Sequence, residues 1–236
     1  MSPPKDTETP SQTVVLLLAD IAPAHRLWGW SRLVKGTAAL NQTPGLLFSK
    51  ILGSGYEGGF GLKPSASRQG VFGLFNSAAA ASYFLNRSDE VAAYRERSSE
   101  LLTITLQTYA CRGTWDGQAL DVATRTPETG PIAALTRASI RPPKARAFWR
   151  YAPASQTALE SSAGCQLAVG LGEAPLIRQA TFTVWDSVDA MNAYARTGPH
   201  LEAIQVAHQK RYFAESMFAR FTPIHMNGVW RGKQYA

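Results

Sequence analysis

His200 stands in the string Thr197-Gly198-Pro199-His200, where a helical pattern begins. Proline is favoured in a first helical turn. The positive end of the helix dipole disfavours imidazolium there and keeps the ring neutral, which is the form that binds a metal ion. Ala203, Ile204 and Ala207 follow on the same face, apolar and mostly small, as a flat macrocycle requires. A local hydrogen bond at the helix start is the competing reading, and the residues alone leave both open. The other histidines, His25, His208 and His225, supply no i, i+4 pair, and His200 and His208 are eight apart. A metal site of several histidines is therefore not built locally.

Arg137, Arg141, Arg178 and Gln179 sit in or beside strand-like segments. Each can pair with an acidic edge group of a cofactor or orient bound oxygen; each can equally face solvent. Arg137, Arg178 and Gln179 are the catalytic candidates. His200, Ile204 and Trp185 are the cofactor-binding candidates, with His200 as the metal ligand. Trp28, Trp30, Trp149, Phe182, Trp185, Tyr212, Phe213, Phe218 and Phe221 are read as inward-facing. Most of them serve an ordinary core; the alternative is a long apolar cavity for a hydrocarbon-like ligand.

Other chemistries find no support. The loop Gly53-Ser-Gly55-Tyr-Glu-Gly58 matches a dinucleotide fingerprint literally, but it runs into another strand rather than a helix, so no helix N-terminus meets a pyrophosphate. It reads as a hairpin loop. No G-x-S-x-G, H-E-x-x-H or clustered carboxylate pair occurs. Cys111 and Cys165 have no metal or redox spacing and read as reduced core thiols.

The elements that must position these residues come in two sets. Arg112-Gly-Thr-Trp115-Asp-Gly117 and Asn227-Gly-Val-Trp230-Arg-Gly232 end two similar stretches, 115 residues apart at the tryptophan. Leu74-Phe75-Asn76-Ser77 and Val184-Trp185-Asp186-Ser187 match at an offset of 110. The first half reads as strands 13–20, 46–52 and 70–76 with helices over 24–40, 77–85 and 89–108. Leu27, Trp28, Ser31, Val34 and Leu40 lie near one face of the first helix. The second half reads as strands 132–140, 165–171 and 176–185 with helices over 144–161, 188–195 and 199–218. Both orders are β-α-β-β-α, and a last segment can add a strand. The fold class is α+β: tandem ferredoxin-like repeats of the dimeric α+β barrel type, fused in one chain. A single larger α+β domain is the alternative. The divisions are a tail over 1–12, a first half over 13–120, a linker over 121–130 and a second half over 131–236, which carries the candidate metal ligand. Phe75 is expected over Trp185, and Trp115 over Trp230. The 110-residue offset sets Glu90 opposite His200, so only the second half can carry the ligand. The main cavity is expected against helix 199–218 and strand 176–185.

With 45% hydrophobic and 17% charged residues, the chain has the material for a packed core. No apolar run approaches the ~18 residues of a membrane span, and the start lacks the order of a secretion signal. These point to the cytosol. The net charge of +7 is scattered rather than clustered, which argues against nucleic acid and for anionic partners such as a lipid surface or an acidic electron carrier.

The chain resembles the spheroidene monooxygenases, the carotenoid 2-ketolases of purple photosynthetic bacteria. The resemblance rests on Arg26-Leu-Trp28, Thr43-Pro-Gly-Leu-Leu-Phe48, Lys50-Ile-Leu-Gly-Ser-Gly55 and Leu135-Thr-Arg-Ala-Ser-Ile-Arg-Pro142. It continues through Phe148-Trp149, Gly170-Leu-Gly-Glu-Ala-Pro175, Gln179-Ala-Thr-Phe-Thr-Val-Trp185 and Phe213-Ala-Glu-Ser-Met-Phe-Ala-Arg-Phe221. The set spans nearly the whole chain in order. It implies a haem-iron monooxygenase that uses oxygen and a ferredoxin-type donor to place a keto group at C-2 of acyclic carotenoids. It also implies a peripheral contact with the inner membrane, where such a substrate resides. His200 as axial ligand comes from the repeat break and the helix start. A different enzyme on the same scaffold and a non-catalytic binder of apolar ligands are the alternatives. The sequence leaves the oligomeric state open.

Overall fold

A computed structural model describes residues 11–236 apart from 60, 62, 151–156, 160, 175 and 197; for 198–200, 203, 204 and 208 it describes the backbone only. The first half runs β1 (Thr13–Ile21), α1 (Arg26–Lys35), β2 (Leu46–Gly55), β3 (Pro64–Phe75), α2 (Ala78–Arg87), α3 (Asp89–Arg97) and β4 (Ser98–Gly113). The second runs β5 (Ile132–Ile140), α4 (Ala145–Phe148), β6 (Cys165–Ala174), β7 (Arg178–Trp185), α5 (Val188–Ala195), α6 (Gly198–Gln209) and β8 (Phe213–Trp230), and a short β9 (Lys233–Tyr235) follows. Of the tail expected over 1–12, residues 1–10 lie outside the described residues. Ser11 and Gln12 already hydrogen-bond to Gln107 and to the N–H of Asp121.

Among the described residues one antiparallel sheet takes the order β4-β1-β3-β2-β6-β7-β5-β8-β9, and β8 returns to β4. Eight strands thus close a barrel, which leaves no long free edge. The order β4-β1-β3-β2 of the first half recurs as β8-β5-β7-β6 in the second. So does the register: Ala19 faces Gln69 across β1 and β3, and Ala138 faces Gln179 across β5 and β7. Phe75 lies opposite Thr13, the first residue of β1, and Trp185 opposite Ile132, the first residue of β5.

Alternation decides what fills the barrel. Val14, Leu16 and Leu18 of β1, Leu102, Ile104 and Leu106 of β4, Ala133 and Leu135 of β5, and Met217, Ala219 and Phe221 of β8 point inward and pack as one core. The intervening residues face the helices. The same alternation corrects two long helices. The helices expected over 89–108 and 199–218 end at Arg97 and Gln209, and strands β4 and β8 follow. Leu102-Thr-Ile104-Thr-Leu106 has period two with β-branched residues, a pattern that suits a half-buried strand better than a helix. The expected helix over 144–161 is α4 at its start and a turn of helix at 157–159; residues 151–156 and 160 lie outside the described residues.

A second correction concerns α1. Leu27 and Val34 were expected on its inward face, yet they are 78% and 87% exposed. Its buried residues are Gly29 and Arg32. A Cβ at Gly29 would lie 3.1 Å from Ile21 Cγ1 and 3.1 Å from the Gln69 amide, so the helix seats its one residue without a side chain on the sheet. Gly36, at φ +57, ends it. Trp30 and Phe218, also expected inward, are 47% and 39% exposed.

The two Trp-x-Gly turns close the barrel ends reciprocally. Trp115 and Trp230 are both buried against the barrel core. Asp116 and Arg231 take φ +49 and +53, and Gly117 and Gly232 take +79 and +74. Glu215 of β8 accepts hydrogen bonds from the Gly117 N–H (2.9 Å) and the Thr114 hydroxyl (2.9 Å). Glu100 of β4 accepts from the Arg231 and Gly232 N–H groups, both at 2.8 Å. The carboxylates are 115 residues apart, as the tryptophans are. Each half's last turn is held by the other half's last strand.

Candidate active site

The layer between sheet and helices differs between the halves. In the first, one cross-strand row reads Thr103–Leu17–Val71–Ile51. The layer is filled by Val15, Leu17, Ile21, Leu40, Val71, Phe75, Phe84 and Tyr94, all buried. Arg32 of α1 donates from Nε (3.0 Å) and Nη2 (2.5 Å) to Glu90 in the first turn of α3. The Tyr94 hydroxyl and the Gln69 amide oxygen lie 3.2 Å apart beneath them. Burial pushes the Tyr94 phenol far above its ordinary range.

The corresponding row of the second half reads Phe218–Thr136–Thr181–Gly170. Leu17, Val71 and Ile51 have given way to two threonines and a glycine. The next row, Arg220–Ala134–Thr183–Ala168, is small or polar at all four positions, and its first-half counterpart, Thr105–Val15–Gly73–Ser49, is so at all but Val15, so the contrast lies in the first row. Thr136 and Phe218 are exposed. At Thr136, Thr181 and Gly170 the sheet thus presents smaller side chains than the first half does. The buried cluster of this layer is Tyr109, Ile132, Leu159, Trp185 and Met191. The Tyr109 hydroxyl and Asn192 Oδ1 are buried there without a hydrogen-bond partner. Burial raises the Tyr109 phenol, while the nearby Arg220 guanidinium pulls the other way. Buried atoms of Arg68, Ser98, Gln107, Arg137 and Trp230 likewise have no partner, so orphaned polar atoms occur in both halves.

The sequence candidates divide between the two faces of this sheet. Trp185 is buried in the helix-facing layer; its Nε1 donates to Thr183 Oγ1 at 2.8 Å and its ring stacks on Tyr194 at 5.4 Å. Gln179 lies on the same face, in register with Ala138 and Gly172. The backbone of α6 places His200 in its first turn, the counterpart of Glu90 in α3. The side chains of His200 and Ile204 lie outside the described residues. Arg137 is on the other face. Only 1% exposed, it points into the barrel with Ala133 and Leu135. Its guanidinium pairs with Glu215 and donates to Glu173 (3.2 Å) and Asp116 (3.3 Å). Lys50 joins Asp116 and Glu173, and Trp115 Nε1 donates to Glu173 at 2.8 Å. Arg178 is exposed at the edge, 4.0 Å from Glu173. Arg137 and Gln179 therefore do not share a pocket. Two cations, Arg137 and Lys50, face three carboxylates, Asp116, Glu173 and Glu215, around Trp115 and plug the barrel end, with Arg178 at the edge as a third cation.

Burial alone would raise the Glu215 carboxyl. The Gly117 and Asp116 N–H groups, the Thr114 hydroxyl and Arg137 outweigh it and hold the group at about 2. A cavity of about 460 Å³ opens between Leu159, Cys165, Ala168, Trp230 and Lys233; it adjoins the helix-facing layer at Leu159 and Ala168 and, among the described residues, is lined by neither strand 176–185 nor helix 199–218, where the main cavity was expected. Burial pushes the Cys165 thiol up to about 11, so it stays a thiol, and both cysteines are free. Among the described residues no three His, Cys, Asp or Glu side chains are placed to hold a metal. The Gly53–Gly58 segment is the β2–β3 hairpin, as its sequence indicated.

Sequence reasoning missed Tyr109, Thr136 and Arg220. Tyr109 and Arg220 lie in or beyond segments read as helix, and period two in those segments was the available signal. Thr136 required the pairing register.

No family model matches the chain. A spheroidene monooxygenase from Rubrivivax gelatinosus is 55% identical over 234 residues, covering 99% of this chain and 90% of its own. One from Rhodobacter capsulatus is 35% identical over 211 residues, covering 87% of each. Among solved structures, an aldoxime dehydratase in complex with butyraldoxime matches at TM-score 0.59 and 8% identity, over 92% of this chain and 81% of its own, which shows the fold alone. The fold defines an α+β protein built on a closed eight-stranded antiparallel barrel. The chain belongs to the spheroidene monooxygenase family, and it is a monooxygenase.

Proposed function

We propose that this monooxygenase converts spheroidene-type acyclic carotenoids to their C-2 ketones, using haem held in the second-half layer. The supporting observation is the replacement of Leu17, Val71 and Ile51 by Thr136, Thr181 and Gly170 at corresponding register positions. It puts smaller side chains on the sheet in a chain that shares 55% identity with a spheroidene monooxygenase. We read the two halves as tandem ferredoxin-like repeats, of which the second takes the ligand.

The described residues fit a flat apolar group: a floor of Ala134, Thr136, Ala168 and Gly170, a rim at Phe218, and the unpartnered Tyr109 hydroxyl. His200, in the first turn of α6, would hold the iron, and Arg220 would pair with an acidic edge group. When bound, haem supplies oxygen activation. The protein's own work is to exclude water and to fix C-2 of the polyene above the floor. Two successive hydroxylations of the C-2 methylene each consume one O2, two electrons and two protons and release one water. The resulting gem-diol loses a further water to give the ketone. A reduced ferredoxin-type protein is the proposed electron donor. Among the described residues no helix is long and apolar enough to cross a membrane. Cytosolic placement with a peripheral contact at the inner membrane is part of the same proposal.

Co-expression with a spheroidene-producing pathway tests the reaction. The keto-carotenoid is expected in the extracted pigment. An unchanged pigment profile, with the chain folded and supplied with haem and donor, would overturn it.

A further inference from the structure

Helix α1 presents its apolar residues to the outside. Gly29 and Arg32 make its buried face, while Leu27, Trp30, Leu33 and Val34 form a stripe on the other side. The Trp30 indole N–H donates to the Ala66 carbonyl at 2.9 Å, which fixes the ring at the surface. Arg26 and Lys35 are exposed at the two ends of the helix. From residue 21 to residue 56 the chain contains no Asp or Glu.

We propose that this face docks on an anionic lipid bilayer, with Leu27, Trp30 and Val34 entering the headgroup–acyl boundary. An outward apolar stripe with Trp, flanked by cations and free of acids, is the signature of an interfacial helix. The charge sign favours an anionic leaflet. The choice of a bilayer as the occupant rests on the carotenoid substrate proposed above, because such a polyene resides in membranes. A second copy of the chain would bring no anionic counterpart to the cationic border, and an acidic protein partner would match the cations but not the outward Leu27, Trp30 and Val34 stripe.

Flotation with vesicles tests this, using the full chain. With vesicles of phosphatidylglycerol and phosphatidylcholine the wild type is expected to float, less so at high salt or with phosphatidylcholine alone. Leu27→Glu/Val34→Glu is expected to weaken partition about tenfold or more. Both positions are exposed, so the melting temperature and the conversion of detergent-solubilised carotenoid should stay unchanged. Failure of the wild type to float overturns the proposal, as does equal flotation of the double variant. So does a dimer that the double variant dissociates while neither protein floats. If the wild type floats and the double variant does not, but no carotenoid is converted in detergent, the surface stands and the proposed reaction falls.

Discussion

The two halves share strand order and register, and they differ in what lies between sheet and helices. In the first, Leu17, Val71, Ile51 and Phe84 fill the layer, with Arg32–Glu90 and Tyr94–Gln69 above them. In the second, Thr136, Thr181 and Gly170 stand at the positions of Leu17, Val71 and Ile51, and the buried cluster is Tyr109, Ile132, Leu159, Trp185 and Met191. One half has large aliphatic side chains where the other has two threonines and a glycine. A repeat permits this division because each half's closing turn is held by a glutamate of the other, Glu215 for Trp115 and Glu100 for Trp230.

The comparison breaks first at His200. His200→Ala is expected to abolish ketone formation while the fold survives, since a helix-start imidazole contributes only ~1 kcal/mol as a hydrogen bond against a stability of roughly 5–15. Retained activity, checked by pigment analysis, would move the site. Arg137→Ala comes next. It strands buried carboxylates and should cost about 3–5 kcal/mol in denaturant unfolding. Arg178→Ala, at the exposed edge, should stay within about 0.5.

Exchanging the floors sharpens the contrast. Leu17→Thr should lose about 2–4 kcal/mol, because it opens a cavity and buries a hydroxyl. The reciprocal Thr136→Leu should keep or raise stability and lose carotenoid conversion. Equal stability losses in both would show that the second layer is as tightly packed as the first.

The smallest effect is a pH slope. Glu215 sits at about 2 in the folded protein against an ordinary 4.5. A depressed folded value means stability that is present above 4.5 and is lost as pH falls towards 2. Glu215→Gln should be less stable at neutral pH and flatter between pH 4.5 and 2, measured by denaturant titration at each pH. A slope as steep as the wild type's in that window would assign the linkage to another carboxylate.

Much of the scaffold was legible. Strand 132–140 and helix 188–195 agree with the structure to the residue, because alternation and a Ser187 cap mark them. The Trp-x-Gly repeat was also visible, although Glu100 and Glu215 at the same offset went unnoticed. β4 and β8 were read as helix because each continues a helical pattern without a glycine or proline stop at the junction. Of the residues read near one face of the first helix, Trp28 and Leu40 pack on the core while Leu27 and Val34 are exposed, because the seat of α1 on Ile21 and Gln69 depends on tertiary contact at Gly29, which no periodicity reveals. Arg137 and Gln179 looked like partners in sequence, yet they occupy opposite faces of the sheet. Parity along β5 and β7 separates them once the register is known.

A haem titration of the purified chain followed by absorption tests the central claim most directly. The wild type should develop a saturable Soret band. Ala134→Leu/Thr136→Leu, which fills the floor of the second half, should abolish that band with an unchanged melting temperature, whereas the exposed-edge variant Arg178→Ala should keep it. A wild type that develops no band, or a band that survives the filled floor, would contradict the account.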